Sequence, residues 1–583
     1  ANNLSIVVGA GVGYVKGHRF QTIGPSRVKA QKGTTFTNAV AQSVSVNFGH
    51  YIQVKELKGE FSPDHNDQIL ILDGPLEALS NNNIDIPIQS SNTVTMGAAV
   101  NVVGTARVRG LELDGDNIGA FDSEYQAYVY DIKMYSGKSF KKHAKAVYHY
   151  ASTEHGAAGN TNTAKRGVAD IVLDGTVAEI KDADFNRMVF PVGQNGVKSV
   201  GTATFTKKKS TAVTFASANG SASISVSGTE LYTFGTDDIN LNEIQERQVL
   251  VVARAGVNAA ADVGTSAVVS GTNNIVTGSV TSTLVKGDHV FVGGHQRQVT
   301  SIINSTSFTT NKTLAANAAA TVLRTFPKDA IIALGDRSTS NAAVSSTGQT
   351  LTVNLGVALV GTLAATIVAD VKDTSEAGLK KTLATSYVKI DTSSNAGGAT
   401  GPWCLGIPDA LSLTNVYWNE SAYSEATADD YSSSFELDNG QKDGYYGLSK
   451  LKLKSTSRLT VDANDFIVVK VKHFVKDISA GTGFYSYQSY HSKVDDTAAS
   501  VDEITTQEIP IFVSPTSGRE LSLRDCIDFR PNMANTAAHA ATLGAANVNP
   551  SAVETIDTNN DVASPNELWS ATVEYYLPRK DRL

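Results

Sequence analysis

The chain is 583 residues long, enough for about three to five domains of ordinary size. Only 18% of its residues are charged, and 49 basic residues face 57 acidic ones, which gives a net charge of −8. Because phosphate-rich partners need a clustered positive field, this balance argues against a chain-wide binder of nucleic acid or anionic membranes. The sequence contains no run of 18 or more apolar residues, so it predicts no membrane-spanning helix.

Strand signals dominate from the beginning of the chain. Apolar and polar residues alternate over residues 43–48, 51–57 and 106–111, which is the pattern of a half-buried strand. Residues 125–132 alternate too and are rich in tyrosine, which suits a pleated surface. Helical periodicity is weak. The sequence therefore predicts a mainly β, multidomain chain, a string of β-sandwich and small β-barrel domains with few short helices.

Four regions can be separated by composition and strand spacing. Residues 1–190 form an N-terminal β-rich region. Residues 196–260 and 327–398 are predicted to form one split β-sandwich, with residues 265–326 inserted in a loop as a small β-barrel, because loops tolerate insertion. A Gly-rich stretch at 395–402 is typical of a linker. Residues 403–583 are richer in Tyr and Asp and are predicted to form a C-terminal β-rich domain.

Lysine and cysteine usage offers few functional signals. The short basic run Lys207, Lys208 and Lys209 is interpreted as a solvated turn. Cys404 and Cys526 are too few for a disulfide scaffold and too far apart for a zinc knuckle. We expect two buried thiols in a protein that folds in a reducing cytoplasm, although a single bridge remains open.

Motifs that carry enzymatic chemistry are missing from the sequence. It has no Gly-x-Ser-x-Gly elbow, no P-loop, no His-Glu-x-x-His and no Cys-x-x-Cys. The sequence thus predicts no enzyme and no catalytic, cofactor-binding or metal-binding residues. Trp403, Trp418, Trp569 and the tyrosine clusters are predicted to lie in the core or at a subunit interface, with stacking on sugars as the alternative.

Several short stretches are distinctive. In the last region they are Asp-Gly-Tyr-Tyr at 443–446, Asp-Phe-Ile-Val-Val at 465–469, Phe-Tyr-Ser at 484–486, Leu-Arg-Asp-Cys-Ile-Asp-Phe-Arg-Pro at 523–531 and Tyr-Tyr-Leu-Pro-Arg-Lys-Asp-Arg-Leu at 575–583. Earlier ones are Gly-Tyr-Val-Lys-Gly at 13–17, Val-Asn-Phe-Gly-His-Tyr at 46–51 and Ala-Arg-Val-Arg at 106–109. In these stretches the chain resembles the large virion structural proteins of tailed bacteriophages, chiefly of the T4-like cyanophage type.

The resemblance implies a tail, baseplate or fibre component and brings no catalytic residues with it. We expect a baseplate-attached, proximal tail-fibre protein that supports host attachment, a homotrimer as first guess, assembled in the host cytoplasm and located in the virion. Its partners would be other tail or baseplate proteins, with a host surface glycan as a further candidate, and neither nucleic acid nor a membrane. Members of the family usually extend beyond both ends of this chain, so we expect a piece of a longer protein.

Three alternatives remain beside the fibre interpretation. One is a baseplate wedge protein without a fibre role. Another is a bacterial surface adhesin of tandem β domains. The last is a carbohydrate-active enzyme, which would need two carboxylates facing one aromatic-lined cleft.

Two clusters of alternating charge are candidate structural or interface sites. Because buried charges need partners and arginine binds carboxylates through two hydrogen bonds, we predict that the clusters pair within one chain or between subunits. Solvated surface charge is the alternative. The candidate residues are Arg524, Asp525, Asp528 and Arg530 in the first cluster, and Tyr575, Tyr576, Arg579, Asp581 and Arg582 in the second.

Overall fold

A computed structural model gives the structure of most of the chain. It describes residues 3–31, 37–46, 49–59, 68–74, 101–114, 123–150, 165–182, 188–192, 197–232, 249–268, 275–278, 284–292, 295–314, 320–328, 330–334, 342–375, 378–419, 429–477, 481, 483–490, 504–505, 507–534, 540–550, 556–557, 561–565 and 567–576. The mainly β prediction is confirmed: these residues form 39 strands, against a single one-turn α-helix and four short 3-10 turns.

Strands run along the whole described chain. The first fifteen are β1 (Asn3–Val8), β2 (Val12–Val15), β3 (His18–Gln21), β4 (Ser26–Gln31), β5 (Thr37–Val46), β6 (His50–Gly59), β7 (Gln68–Leu72), β8 (Val102–Asp114), β9 (Glu124–Met134), β10 (Ala146–Tyr150), β11 (Lys165–Ile171), β12 (Leu173–Asp174), β13 (Val177–Ala178), β14 (Lys181–Asp182) and β15 (Val189–Pro191). Helix α1 (Phe140–His143) precedes β10.

The middle of the chain contributes fourteen strands. They are β16 (Val197–Phe215), β17 (Ser221–Ser225), β18 (Leu231–Tyr232), β19 (Val249–Ala253), β20 (Val257–Val268), β21 (Ile275–Gly278), β22 (His289–Val292), β23 (His295–Asn304), β24 (Ser307–Thr310), β25 (Ala320–Phe326), β26 (Ala342–Val344), β27 (Thr350–Asn354), β28 (Leu363–Ser375) and β29 (Lys380–Asp391).

The last ten strands alternate with short 3-10 turns. The strands are β30 (Trp403–Pro408), β31 (Ala410–Asn419), β32 (Phe435–Asp438), β33 (Leu448–Leu453), β34 (Phe466–Asp477), β35 (Ile511–Val513), β36 (Glu520–Ser522), β37 (Cys526–Asp528), β38 (Asn547–Val548) and β39 (Glu567–Tyr576). The 3-10 turns are Ser432–Ser434, Tyr487–Ser489, Leu523–Asp525 and Leu543–Ala545.

The N-terminal region is built around one seven-stranded sheet in the order β11-β10-β7-β8-β9-β6-β14. Strand β11 also pairs with β6, the neighbour of the end strand β14, so the six strands from β11 to β6 close on themselves. The alternation read from the sequence gives the sheet its apolar face: Ile52 and Val54 of β6 and Val108 of β8 lie in one buried cluster. Outside this sheet, β1 pairs only with β4, and β2 pairs only with β3, among the described strands.

The next layer is a six-stranded sheet that joins distant parts of the chain. Its order is β18-β28-β16-β39-β5, and β19 also pairs with β28. Strands from both halves of the predicted split sandwich therefore lie side by side, since β16 pairs with β28 over residues 203–215. A three-stranded sheet, β17-β27-β26, packs against it through a shared core that includes Phe215, Leu351 and Ile367.

The inserted module is a closed barrel of six strands in the order β20-β21-β24-β23-β22-β25. Val276, Val290, Val299 and Phe308 belong to its own small core. The barrel begins with β20 at Val257, eight residues before the predicted boundary at 265, because a polar and Ala-rich segment continues the strand without a turn signal.

Two more sheets face each other in the C-terminal region. They have the orders β31-β34-β29-β38 and β30-β33-β32, and Trp403, Val416, Leu451 and Ile467 belong to the core between them. The sequence suggested a linker at 395–402, and this prediction is wrong. The stretch is a run of turns between β29 and β30, which contribute to the same core, and Trp403 Nε1 donates a hydrogen bond to the Gly398 carbonyl at 2.8 Å.

Strand pairings cross the region boundaries predicted from composition. Strand β5 of the first region and β39 of the last pair over ten residues. Strand β15 pairs with β37, and β29 pairs with β34 rather than with the sandwich. Composition and local alternation show where strands lie but not which distant strand each one meets, so the four regions are joined more closely than predicted. Cys404 and Cys526 are both buried thiols, as expected, and neither forms a disulfide.

Candidate functional site

The first predicted charge cluster separates into a surface pair and an interior pair. Arg524 binds the neighbouring Asp525 through Nε and Nη2, at 3.1 and 3.0 Å, and the two side chains are 41% and 20% exposed. Asp528 ends β37 and points inward, where Arg530 reaches it with Nη2 at 2.8 Å. The side chains of this second pair are 4% and 0% exposed. One short segment therefore carries both a solvated ion pair and a fully buried one.

The buried pair is enclosed by aromatic rings. The Arg530 guanidinium lies between the rings of Tyr446 and Phe512, with its Cζ 4.2 and 4.0 Å from their centres. The Tyr446 hydroxyl donates a short hydrogen bond to Asp528, and Arg530 Nη1 donates to the Lys442 carbonyl at 3.0 Å. These contacts satisfy the charges that burial strips of water.

A second buried ion pair lies next to the first. Lys381 of β29 donates from Nζ to Asp409 at 2.6 Å, and neither side chain is more than 2% exposed. Four rings surround this ammonium group: the ring centres of Tyr446, Tyr485, Tyr490 and Phe474 lie 4.1, 4.1, 5.2 and 5.9 Å from Nζ. Aromatic faces attract cations, so the rings partly replace lost hydration. We call Lys381, Asp409, Asp528 and Arg530, with Tyr446, Tyr485 and Tyr490, the inner charge cluster.

Burial and pairing act against each other on the pKa values of this cluster. Burial alone would raise the pKa of Asp528, but the charge and hydrogen bonds of Arg530 hold it below its ordinary value. For Lys381, burial lowers the pKa more than the nearby Asp409 and Asp528 raise it. Burial raises the pKa of Tyr446 and Tyr485 well above the ordinary value, so both hydroxyls stay protonated and act as donors.

The inner charge cluster brings together stretches that are far apart in the sequence. Tyr446 comes from the Asp-Gly-Tyr-Tyr stretch, Tyr485 from Phe-Tyr-Ser, and Asp528 with Arg530 from the long Arg- and Asp-containing stretch. Their backbones interlock as well: Tyr485 and Asp528 exchange two hydrogen bonds of 2.7 and 2.8 Å. Asp465 of the remaining internal stretch lies elsewhere and accepts from Trp418 Nε1 at 2.8 Å.

The second predicted charge cluster is largely outside the described residues. Tyr575 lies in β39 opposite Val197 of β16 and is half-buried. Tyr576 ends β39, and its side chain is not among those described. Arg579, Asp581 and Arg582 also lie outside the described residues. The pairing of the two charge clusters thus stays a prediction.

The interpretation of Lys207, Lys208 and Lys209 as a solvated turn is wrong. All three lie within β16, and only Lys209 reaches solvent to a large extent. Lys208 points to one face of the sheet and binds Asp370 at 2.7 Å. Lys207 and Lys209 point to the other face and share Glu230, at 2.6 and 2.8 Å. Lys207 lies on the same face of β16 as the buried Phe205, so the alternation of the strand indicated that Lys207 would be buried.

Three carboxylates converge on Lys207. Glu230, Asp373 and Asp561 bring their oxygens within 4.8 Å of one another, a spacing that could hold a metal ion. The Lys207 ammonium group already lies among them, at 2.6 Å from Glu230, 3.1 Å from Asp373 and 2.6 Å from Asp561. Burial alone would lower the pKa of Lys207, but Asp561 and Glu230 raise it, so the lysine stays charged and offsets part of the negative charge of the three carboxylates.

A cavity of about 510 Å³ lies where the N-terminal sheet meets the C-terminal region. Arg109, Tyr130 and Tyr445 are among its lining residues, together with Asp131 and Asp443. Both carboxylates are held by hydroxyl groups of the protein. Asp131 accepts from the Tyr445 hydroxyl at 2.9 Å, and Asp443 accepts from that of Thr516 at 2.5 Å. Burial lowers the pKa of Arg109 to about 10, which still leaves it charged at neutral pH.

Most of the aromatic residues singled out in the sequence belong to the core. Trp403, Tyr445 and Tyr446 are fully buried, and Trp569 is 2% exposed. Trp569 stacks edge-on against Phe529 at 5.5 Å between ring centres, and Trp418 packs edge-on against Tyr431. The side chains of Trp403, Tyr445, Tyr446 and Trp569 are therefore unavailable for stacking on a sugar. For these four residues the prediction of a core position is confirmed.

Comparisons of the chain with protein-family models, with curated proteins and with solved structures found no match. Within the part of the chain that the structure describes, no helix is long and apolar enough to cross a membrane.

The sequence did not point to Lys381 or Asp409, although both are central to the inner charge cluster. Lys381 is in phase with the buried Leu383 of β29, so the strand pattern carried a weak signal. Asp409 has a left-handed backbone with φ of 56°, which no local pattern announces. Their partners approach from other strands and could not be inferred from spacing.

Proposed function

We propose that the protein is a structural, non-enzymatic component of a bacteriophage tail, a baseplate-attached, proximal tail-fibre protein that anchors the fibre and supports host attachment. The observation that carries the proposal is the inner charge cluster. Three of the stretches in which the chain resembles virion structural proteins meet there, in the interior. Residues used to join distant strands serve the architecture, which is what a structural subunit requires.

The pairing of strands that are distant in the sequence supports a structural role. Strand β39 near the end of the described chain pairs with β5 near its beginning, and β37 pairs with β15. Segments near both ends of the described chain are therefore joined to the rest of the fold by backbone hydrogen bonds. The buried ion pairs Lys208–Asp370 and Lys381–Asp409 join further segments of the chain. Because each buried charge needs its own partner, these pairs favour one arrangement of the strands.

Labelling of intact particles tests the proposal. Antibodies raised against the recombinant chain would be bound to tailed particles from the source lysate and located by gold-label electron microscopy. A fibre protein places the label beside the baseplate and along the proximal fibre, whereas a wedge protein confines it to the baseplate. Label on bacterial surfaces but not on particles would overturn the proposal in favour of the adhesin.

A further inference from the structure

The N-terminal segment of residues 3–31, which we call the N-terminal arm, contains two hydrogen-bonded pairs of strands. Strands β1 and β4 pair over six residues, and β2 and β3 form a hairpin between them. Lys16 and Gly17 at its tip both have positive φ, as a two-residue hairpin turn requires. Gly11 and Thr22 close the base through two hydrogen bonds of 2.9 Å.

The hairpin presents apolar side chains to solvent on both faces. Tyr14 and Phe20 belong to adjacent pairs in the strand register, so they point to opposite faces, and they are 70% and 52% exposed. Ile23, just after the hairpin, is 99% exposed. A single two-stranded hairpin is marginally stable in water. Large exposed apolar residues that recur on such a hairpin indicate a binding surface.

The charge of the arm identifies the kind of surface it would bind. Residues 3–31 contain four basic residues, Lys16, Arg19, Arg27 and Lys29, and no acidic residue. Of the 49 basic residues of the chain, 45 remain elsewhere against all 57 acidic ones, a net charge of −12. An arm that is both basic and apolar thus complements the acidic remainder of its own chain.

A complementary surface lies close to the base of the arm. Strands β35 and β36 form a hairpin, which we call the outer hairpin. Its Phe512 is buried, while Ile511 and Val513 point outward and are 59% and 52% exposed. The exposed Glu520 lies directly opposite Val513 in the strand register. This face therefore offers apolar side chains next to a negative charge, the counterpart of the arm.

The two surfaces are neighbours in one chain but do not cover each other. Arg27 of the arm donates to Gln507 at 2.9 Å, just before the outer hairpin, while the tip of the arm and Ile511 both remain exposed. When two copies lie side by side, the tip of one arm can therefore meet the outer hairpin of the other.

We propose that the N-terminal arm docks on the outer hairpin of a second copy of this chain. Tyr14 supplies the apolar contact with Ile511 and Val513, and Arg19, which pairs with Tyr14 in the strand register and so lies on the same face, meets Glu520. The contact joins two different surfaces, so repeating it around a symmetry axis gives a closed ring, and reciprocal exchange gives a dimer. The inference deepens the structural role proposed above by naming a partner. If the protein is found in particles while the recombinant chain is monomeric, the structural role stands and the proposed contact is ruled out.

Sedimentation velocity on the full chain, over a range of concentrations, tests the proposal. We expect a concentration-dependent oligomer whose self-association becomes at least tenfold weaker in the double variant Val12→Ser with Tyr14→Ser, because Val12 lies on the same face as Tyr14 and is 49% exposed. Val360→Ser is the matched control, because Val360 is 72% exposed and lies outside both surfaces. It should leave the association constant unchanged.

A charge exchange tests the acceptor surface. Arg19→Glu and Glu520→Arg should each weaken self-association about tenfold, and combining both changes in one chain should restore it. The only hydrogen bond that the Arg19 side chain makes among those described is to Gln21 of the same strand, so its change leaves the fold intact. A chain that stays monomeric would overturn the proposal. So would an oligomer that the arm variants do not weaken, or one in which the double charge exchange restores nothing.

Discussion

The buried Asp528–Arg530 pair allows a direct test of whether the inner charge cluster holds the fold together. Replacing Arg530 with methionine keeps most of the apolar volume but leaves the Asp528 carboxylate in the interior. It removes donors that lie 2.8 to 3.2 Å from Asp528 and a guanidinium held between two rings. Breaking a buried ion pair from one side costs about 3–5 kcal/mol, and both side chains here are at most 4% exposed.

The neighbouring pair supplies the control. Arg524→Met removes the same residue type from the same segment, but Arg524 and Asp525 are 41% and 20% exposed, so the expected loss is about 0–1 kcal/mol. Hydrogen–deuterium exchange of peptides that cover β37 and residues 440–446 measures the local opening free energy of each variant. The double variant Arg530→Met with Asp528→Asn should recover part of the loss, because the stranded charge is gone. Equal losses for Arg530→Met and Arg524→Met would refute the reasoning.

Three further predictions concern single side chains. Lys208→Met should lower the free energy of unfolding by about 3–5 kcal/mol and Lys209→Met by less than about 1 kcal/mol, measured by chemical denaturation, because the first ammonium is buried against a carboxylate and the second is 40% exposed. Gly440→Ala should cost more than Gly228→Ala in thermal unfolding: both have positive φ, but the added methyl meets backbone oxygens at 2.5 Å only at Gly440, and an equal cost would contradict this. Burial raises the pKa of Glu112 to about 7 from its ordinary 4.5, so the folded protein holds a proton that the unfolded chain releases. Its contribution to stability is therefore full below pH 4.5 and falls by about 2–3 kcal/mol as the pH rises to 7, and Glu112→Gln should flatten this pH dependence.

The sequence was informative wherever a feature is local. Alternating residues located β6, β8 and β9, because one face of each strand is buried, and period two follows directly. Strand spacing also located most of the closed barrel, whose pairings stay within one short segment.

Features that depend on distant partners were not predictable. The pairing of β39 with β5 joins segments more than 500 residues apart, and no composition shift marks it. Lys207 was misread for the same reason: three lysines in a row look solvated until carboxylates from other strands approach them. Arg530 was singled out by its spacing from Asp528, but the four rings around Lys381 come from three places: Tyr446 lies just before β33, Phe474 lies in β34, and Tyr485 and Tyr490 follow β34. The inner charge cluster as a whole was therefore not expected.

The most direct test of the structural role is the protein content of purified particles. Tailed particles from the source lysate would be banded on a density gradient, and peptides of this chain would be quantified by mass spectrometry across the fractions. If the protein is a tail component, the chain bands with the particles, at a fixed ratio to a tail tube or sheath protein through repeated gradients. A chain that stays in the soluble or bacterial fractions, while tail proteins band with the particles, would contradict the structural role.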